Sequence, residues 1–86
     1  MIRELAVTIE GRGEVKGFIF EQVKASEKAY IYKSTSEDNV YFEVFRKKVN
    51  TQFGIVSYPK SKSFGKWAWC CSSLKRAEKI FNEINN

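Results

Sequence analysis

Residues 29–48 read AYIYKSTSEDNVYFEVFRKK, and their alternation decides the fold. In an extended chain Ala29 and Ile31 fall on one side, Tyr30 and Tyr32 on the other. Beyond the turn-forming run Ser34 to Asn39 the pattern resumes, with Val40, Phe42 and Val44 opposed to Tyr41 and Phe45. Two β-branched and aromatic runs of period two joined by a short turn are neighbouring antiparallel strands. Working outward, Gly11-Arg12-Gly13, Ala25 to Lys28, Asn50-Thr51 and Pro59 to Gly65 break the chain. The strand-sized pieces left are 2–9, 14–24, 29–35, 40–48, 52–58 and 65–71. Ile2, Leu5 and Ile9 in the first piece also suit one helix face, but a strand is favoured there.

The tail changes period. Leu74, Ala77, Ile80, Phe81 and Ile84 recur at helical spacing, with Ser72 or Ser73 as the N-cap. The expected architecture is α+β: an antiparallel sheet of five or six strands followed by one C-terminal amphipathic helix packed on one face. One sheet face gathers Val15, Ile19, Val23, Ala29, Ile31, Val40, Phe42 and Val44, with Glu21, Lys33 and Arg46 among them. The other gathers Phe18, Phe20, Tyr30, Tyr32, Tyr41 and Phe45, with Lys16, Lys24 and Lys47. Which of them meets the helix stays open. Both are more apolar than one helix can hide, so the surplus is expected to be a binding surface, a dimer interface, or a bend of the sheet that closes on itself. Trp67, Trp69 and Cys71 alternate on one side of the last strand, where bulky aromatics are expected beneath the helix.

Composition sets the limits. The 86 residues are 43% hydrophobic and 29% charged, with five Gly and one Pro, a balance that folds rather than staying disordered. A single domain spanning 1–86 is expected, with one thin core. Histidine is absent, which removes the side chain most used as a general base near neutral pH and the commonest metal ligand. The two cysteines are adjacent, Cys70 and Cys71, where neither spaced zinc ligands nor ordinary disulfide geometry is available. They read as reduced structural thiols. Paired carboxylates occur only at Glu37-Asp38 in a turn, and no Gly-rich phosphate motif is present. The expectation is therefore no enzyme, no cofactor and no metal. The longest uninterrupted apolar run is the five residues Trp67 to Cys71, so a cytoplasmic protein without a membrane segment is expected.

Charge is the strongest functional signal. Residues 1–43 carry 6 basic and 8 acidic side chains, residues 44–86 carry 9 and 2, and the net charge is +5. The 34 residues between Glu43 and Glu78 hold no acid, while they hold Arg46, Lys47, Lys48, Lys60, Lys62, Lys66, Lys75 and Arg76. A single-sign stretch raises a local positive potential that attracts polyanions. Lys60, Lys62 and Lys66 lie in a flexible loop with Phe64, suited to phosphate contacts with an aromatic ring nearby. Ser72, Ser73, Lys75 and Arg76 place hydroxyls and cations at a helix N-terminus, a candidate anion site.

Lys16-Gly17-Phe18-Ile19-Phe20 resembles the opening of the aromatic signature of RNA-recognition motifs. That resemblance covers five residues. Ile19 stands where a small residue belongs, Glu21 where an aliphatic belongs and Val23 where the final aromatic belongs, and a βαββαβ order does not fit one helix. No family is assigned from it. Its physical content is a candidate stacking platform of Phe18 and Phe20, joined by Tyr30, Tyr32 and Phe64. The chain thus reads as a small nucleic-acid-binding domain acting mainly through phosphate contacts. The alternatives are a protein-interaction module, an inhibitor or adaptor docking on an acidic partner, or a homo-oligomeric structural domain such as a homodimer.

Overall fold

Backbone pairing begins from the hairpin that the alternation marks. In the computed structural model, which describes residues 3–11, 13 and 16–86, strands β3 (Ala29–Ser36) and β4 (Asn39–Arg46) pair antiparallel from Ala29↔Arg46 to Ser36↔Asn39. Glu37 in the two-residue turn takes φ 47°, in the left-handed region that costs a residue with a Cβ. Strand β2 (Ile19–Ala25) joins the other side of β3, and β1 (Thr8–Glu10) pairs with β2. Strand β7 (Ala68–Cys71) pairs with β4, which completes a five-stranded antiparallel sheet of order β1-β2-β3-β4-β7. Two further strands, β5 (Val49–Asn50) and β6 (Ile55–Val56), form a separate hairpin, and helix α1 (Leu74–Asn85) closes the chain. The α+β class and the C-terminal helix are as expected.

The sheet buries both faces. Against α1 lie Ala29, Ile31, Val44 and Cys71, which meet Ala77, Phe81 and Ile84 of the helix. This is the face of small and β-branched residues. The opposite face is aromatic, with Tyr30, Tyr32 and Phe45 fully buried beside Phe20, Val56 and Ala68. It is covered from within the chain, by the N-terminal segment and by the connection 47–67 that carries β5 and β6. Three tyrosine and lysine contacts hold that cover. Tyr30 Oη donates to the Glu4 carboxylate, Lys47 Nζ donates to both Glu4 oxygens at 2.9 and 2.7 Å, and Tyr32 Oη donates to the Ala6 carbonyl at 2.6 Å. Arg3 then bridges to β6, its N–H donating to the Gly54 carbonyl at 2.7 Å and its carbonyl accepting from Val56 at 3.0 Å. The surplus apolar face is accordingly core around Tyr30, Tyr32 and Phe45, while Ile19, Val23, Val40 and Tyr41 stay exposed.

Five expectations are corrected. Of the described residues in the piece 2–9 only Thr8 and Ile9 fall in a strand, β1, and Arg3 makes an isolated bridge to Ile55. Strand β2 begins at Ile19 instead of residue 14, because Lys16 and Gly17 form a turn with Gly17 at φ 94°. The register shifts between Gln22 and Lys24, so Val23 is a bulge residue with no partner across the strand and Lys24 swings to the helix face. There Lys24 Nζ pairs with Glu78 at 2.5 Å and lies 5.9 Å from the Phe81 ring centroid. The piece 52–58 holds only β6, and β5 falls on Asn50, expected as a turn. Trp67 precedes β7, and its ring packs edge-on to Phe45 at 6.4 Å in the aromatic layer, while Trp69 alone of the pair packs against the helix-side core. Ile2, Arg12 and Val15, assigned above to strand or breaker positions, lie outside the described residues.

Candidate nucleic-acid interface

The acid-free stretch runs from the end of β4 through the connection 47–67 and β7 into the helix start. At its first end the Arg46 N–H donates to the Trp67 carbonyl at 2.9 Å, which sets the end of β4 beside the start of β7. Lys48 follows, its Nζ 5.2 Å from the Trp67 ring centroid, and Lys66 adjoins Trp67 after a turn made by Gly65 at φ 89°. Lys60 and Lys62 sit on a single 3-10 turn, Ser61–Ser63, closed by the Ser63 N–H to the Lys60 carbonyl at 2.8 Å. Arg46, Lys48, Lys60, Lys62 and Lys66 are all exposed. Among the described residues only Lys24–Glu78 and Lys47–Glu4 are ion-paired.

Lys47 differs from its neighbours. It is half-buried, pinned to Glu4 and 5.8 Å from the Tyr30 ring centroid, so it anchors the N-terminal segment. The hydrogen bonds from Lys47 and Tyr30 hold the Glu4 carboxyl below the usual carboxylate range.

Ser72, Ser73, Lys75 and Arg76 are exposed but lie beyond the opposite end of β7 from Trp67, past a strand that spans ~10 Å from Ala68 to Cys71 at ~3.3 Å per residue. Ser73 is the N-cap, its Oγ accepting from the Arg76 N–H at 3.3 Å. Lys47 aside, the basic and hydroxyl candidates therefore divide into two groups, one on the connection and its ends and one at the helix start.

The stacking platform is not available as expected. Tyr30 and Tyr32 are 1% and 0% exposed and Phe20 is 7% exposed, so their rings are core. Phe18 lies against Phe20 with centroids 6.1 Å apart and nearly parallel planes, and it is half-buried, as is Phe64. Alternation correctly places these rings on one face; it carries no information on whether that face is covered.

Sequence reasoning missed an acid in a groove on the aromatic side of the sheet. A groove of about 1150 Å³ opens between the N-terminal segment and the 58–64 part of the connection. Glu43 lines it, flanked in register by Tyr32 and Cys70, and its Oε1 accepts from Tyr58 Oη at 2.6 Å. Burial pushes the Glu43 carboxyl up, against the Tyr58 hydrogen bond that pulls it down. The Tyr58 hydroxyl is raised in turn by its own burial and by the Glu43 charge. The signal was present: Glu43 falls between Tyr41 and Phe45 on the aromatic face, a carboxylate in an otherwise apolar row.

Both cysteines are free, Cys71 buried under the helix and Cys70 exposed. Burial raises the thiol of each, and the Glu43 charge raises that of Cys70 further. Neither carries the lowered value of a reactive thiolate. No helix among the described residues is long and apolar enough to cross a membrane. In comparisons with family models, curated proteins and solved structures, no family, relative or structural neighbour matches this chain.

Proposed function

We propose that this chain binds nucleic acid through phosphate contacts made by Arg46, Lys48, Lys60, Lys62 and Lys66. The observation that carries the reading is that these five cations are exposed, lie on the connection between β4 and β7 and its two ends, and have no ion-pair partner among the described residues. Cations without ion-pair partners hold their charge for a polyanion, whose condensed counterions are released when its phosphates dock. Five neutralised phosphates give a log-log salt slope of roughly −3.5 on single strands to −4.5 on a duplex, a loss of two to three decades in affinity between 50 and 200 mM salt.

Fluorescence anisotropy with DNA and RNA oligonucleotides measures that slope. Replacing Lys60, Lys62 and Lys66 together by Gln lowers affinity for every sequence, leaves the circular dichroism spectrum unchanged, and flattens the slope by about 2–3. Absence of binding to all pools at 50 mM salt removes the proposal. Burial of Phe20, Tyr30 and Tyr32 leaves charge as the main attraction, which also suits an acidic protein partner. Polyglutamate competing as well as the oligonucleotides favours that second reading.

A further inference from the structure

The groove beside this cation cluster carries a more specific content. Glu43 offers about four lone-pair positions, of which the Tyr58 hydroxyl takes one. Its register neighbour Tyr32 is engaged elsewhere, donating to Ala6 and accepting from Gln22 Nε2 at 3.1 Å. No other donor among the described residues bonds the carboxylate, and Oε2, which has no partner among them, is not among the polar atoms cut off from solvent. Its free lone pairs therefore open on the groove it lines. The walls above it are apolar and planar in character: Phe20 and Ile9 from the strand side, Phe64 and Tyr58 from the connection. Phe20 and Tyr58 lie 5.4 Å apart at 57°. Lys60, one of the five cations, stands in the same lining, as does a second carboxylate, Glu10.

We infer that this groove takes an unpaired guanine base of the bound strand, with the Glu43 carboxylate reading the base and Lys60 its phosphate. Three features of the lining each demand a different part of the ligand. A carboxylate with open lone pairs needs hydrogen-bond donors, apolar and aromatic walls need a flat ring, and a lysine needs an anion. Guanine presents N1–H and the N2 amino group side by side on its Watson–Crick edge, two donors with no acceptor between them, which is the complement of two carboxylate oxygens. Adenine and cytosine place a ring-nitrogen acceptor next to the amino donor, and uracil flanks its single N–H with two carbonyls; each sets lone pairs against lone pairs. An ammonium ligand would satisfy the carboxylates and the rings but offers Lys60 no anion, and choline is the control for that occupant. The volume of about 1150 Å³ exceeds the ~300–1,000 Å³ of sites that enclose a small ligand, so a base fits with its sugar and phosphate attached.

The inference rests on the nucleic-acid reading, and the experiment separates the two. The intact chain is titrated at low salt with guanosine, adenosine, cytidine and uridine 5′-monophosphates, followed by amide chemical shifts. Guanosine monophosphate is expected to bind about 10–100-fold more tightly than the others, with shifts at Ile9, Glu43 and Phe64. Glu43→Gln replaces one acceptor with a donor and is expected to erase the preference; Glu43→Asp, which keeps the charge but withdraws it by one methylene, is expected to weaken it if the Gln variant fails to fold. Equal affinities for the four nucleotides, no saturation at millimolar concentration, or choline shifting the same residues in their place overturns the inference. Oligonucleotides with and without guanine that bind alike, with the steep salt slope, leave the phosphate reading standing and the base site refuted. Guanosine monophosphate binding without any oligonucleotide binding does the reverse.

Discussion

The two faces of the sheet solve the same packing problem with different chemistry. Under α1 the contacts are Ala, Ile, Val, Cys and Phe, and among the described residues the only polar ties at the rim are Lys24–Glu78 and Ser26 to Asn85 at 2.6 Å. Under the N-terminal segment and the 47–67 connection the core is largely aromatic, and the hydroxyls of Tyr30, Tyr32 and Tyr58 reach partners on the covering chain or on Glu43. A regular helix satisfies its own backbone and asks only for an apolar surface. An irregular cover cannot, and must be tied down group by group. Glu43, the groove and the cations of the connection, Lys48, Lys60, Lys62 and Lys66, lie on the second side, whereas Arg46 stands opposite Ala29 of the helix-side face.

The largest effect expected from breaking this contrast is at Phe45, fully buried among Tyr30, Tyr32, Tyr58 and Trp67. Phe45→Ala should cost about 3–5 kcal/mol in urea unfolding, since the surrounding rings cannot collapse into the void. A cost below about 1 kcal/mol would mean that the loop-covered face is a loose lid, with α1 holding the only firm core.

Next comes the Glu43–Tyr58 pair. Tyr58→Phe leaves the carboxylate without its donor and should destabilise by about 1.5–3 kcal/mol at neutral pH, the range for a hydrogen bond to a charged group. The pH dependence follows from the raised Glu43 carboxyl. The fold binds the proton at Glu43 more tightly than the unfolded chain does, so this contribution is full below the unfolded value of 4.5 and is lost as pH rises through the higher folded value. Glu43→Gln should therefore be more stable than the parent at pH 7 and lose that advantage by pH 4. Thermal melts at the two pH values check it, and an advantage that grows toward acid contradicts a desolvated carboxylate.

What the sequence disclosed follows the same division. The β3–β4 alternation, the helical period after Ser73 and the membership of each face were readable because they are local periodicities. The bulge at Val23 was not, since no Gly or Pro marks it; it is imposed by the demand that Phe20 and Gln22 serve one face and Lys24 the other. Trp67 was misplaced because alternation holds only within a strand, and the strand starts one residue later at Ala68. The five cations were legible as an acid-free run, but their separation from Lys75 and Arg76 is a matter of where β7 ends. Glu43 in an aromatic row was visible and carried no label until the groove above it appeared.

On the helix side the expected effects shrink. Ser73 Oγ satisfies the Arg76 N–H at 3.3 Å, so Ser73→Ala should cost about 0.5–2 kcal/mol, while Ser72→Ala at the neighbouring exposed position should be neutral within ~0.5 kcal/mol. Equal costs for the two would show that the cap is shared between the serines.

The smallest effect tests whether the helix start belongs with the cation cluster. The first turn of α1 holds no acid and instead carries Lys75 and Arg76, both exposed, against the positive end of the helix dipole. Lys75→Glu should stabilise the fold by about 0.3–1 kcal/mol at low ionic strength, and the gain should fade by 1 M salt as the charge is screened. Because this turn lies at the far end of β7 from Arg46, Lys48 and Lys66, the variant should leave the oligonucleotide salt slope where it was, although its reversed charge lowers affinity slightly through the overall field. Lys60→Gln, by contrast, should flatten that slope by roughly 0.7–0.9, the share of one phosphate contact. A flattening by Lys75→Glu equal to that of Lys60→Gln would mean that the bound strand crosses from the connection onto the helix, and the division of labour between the two faces would fail there.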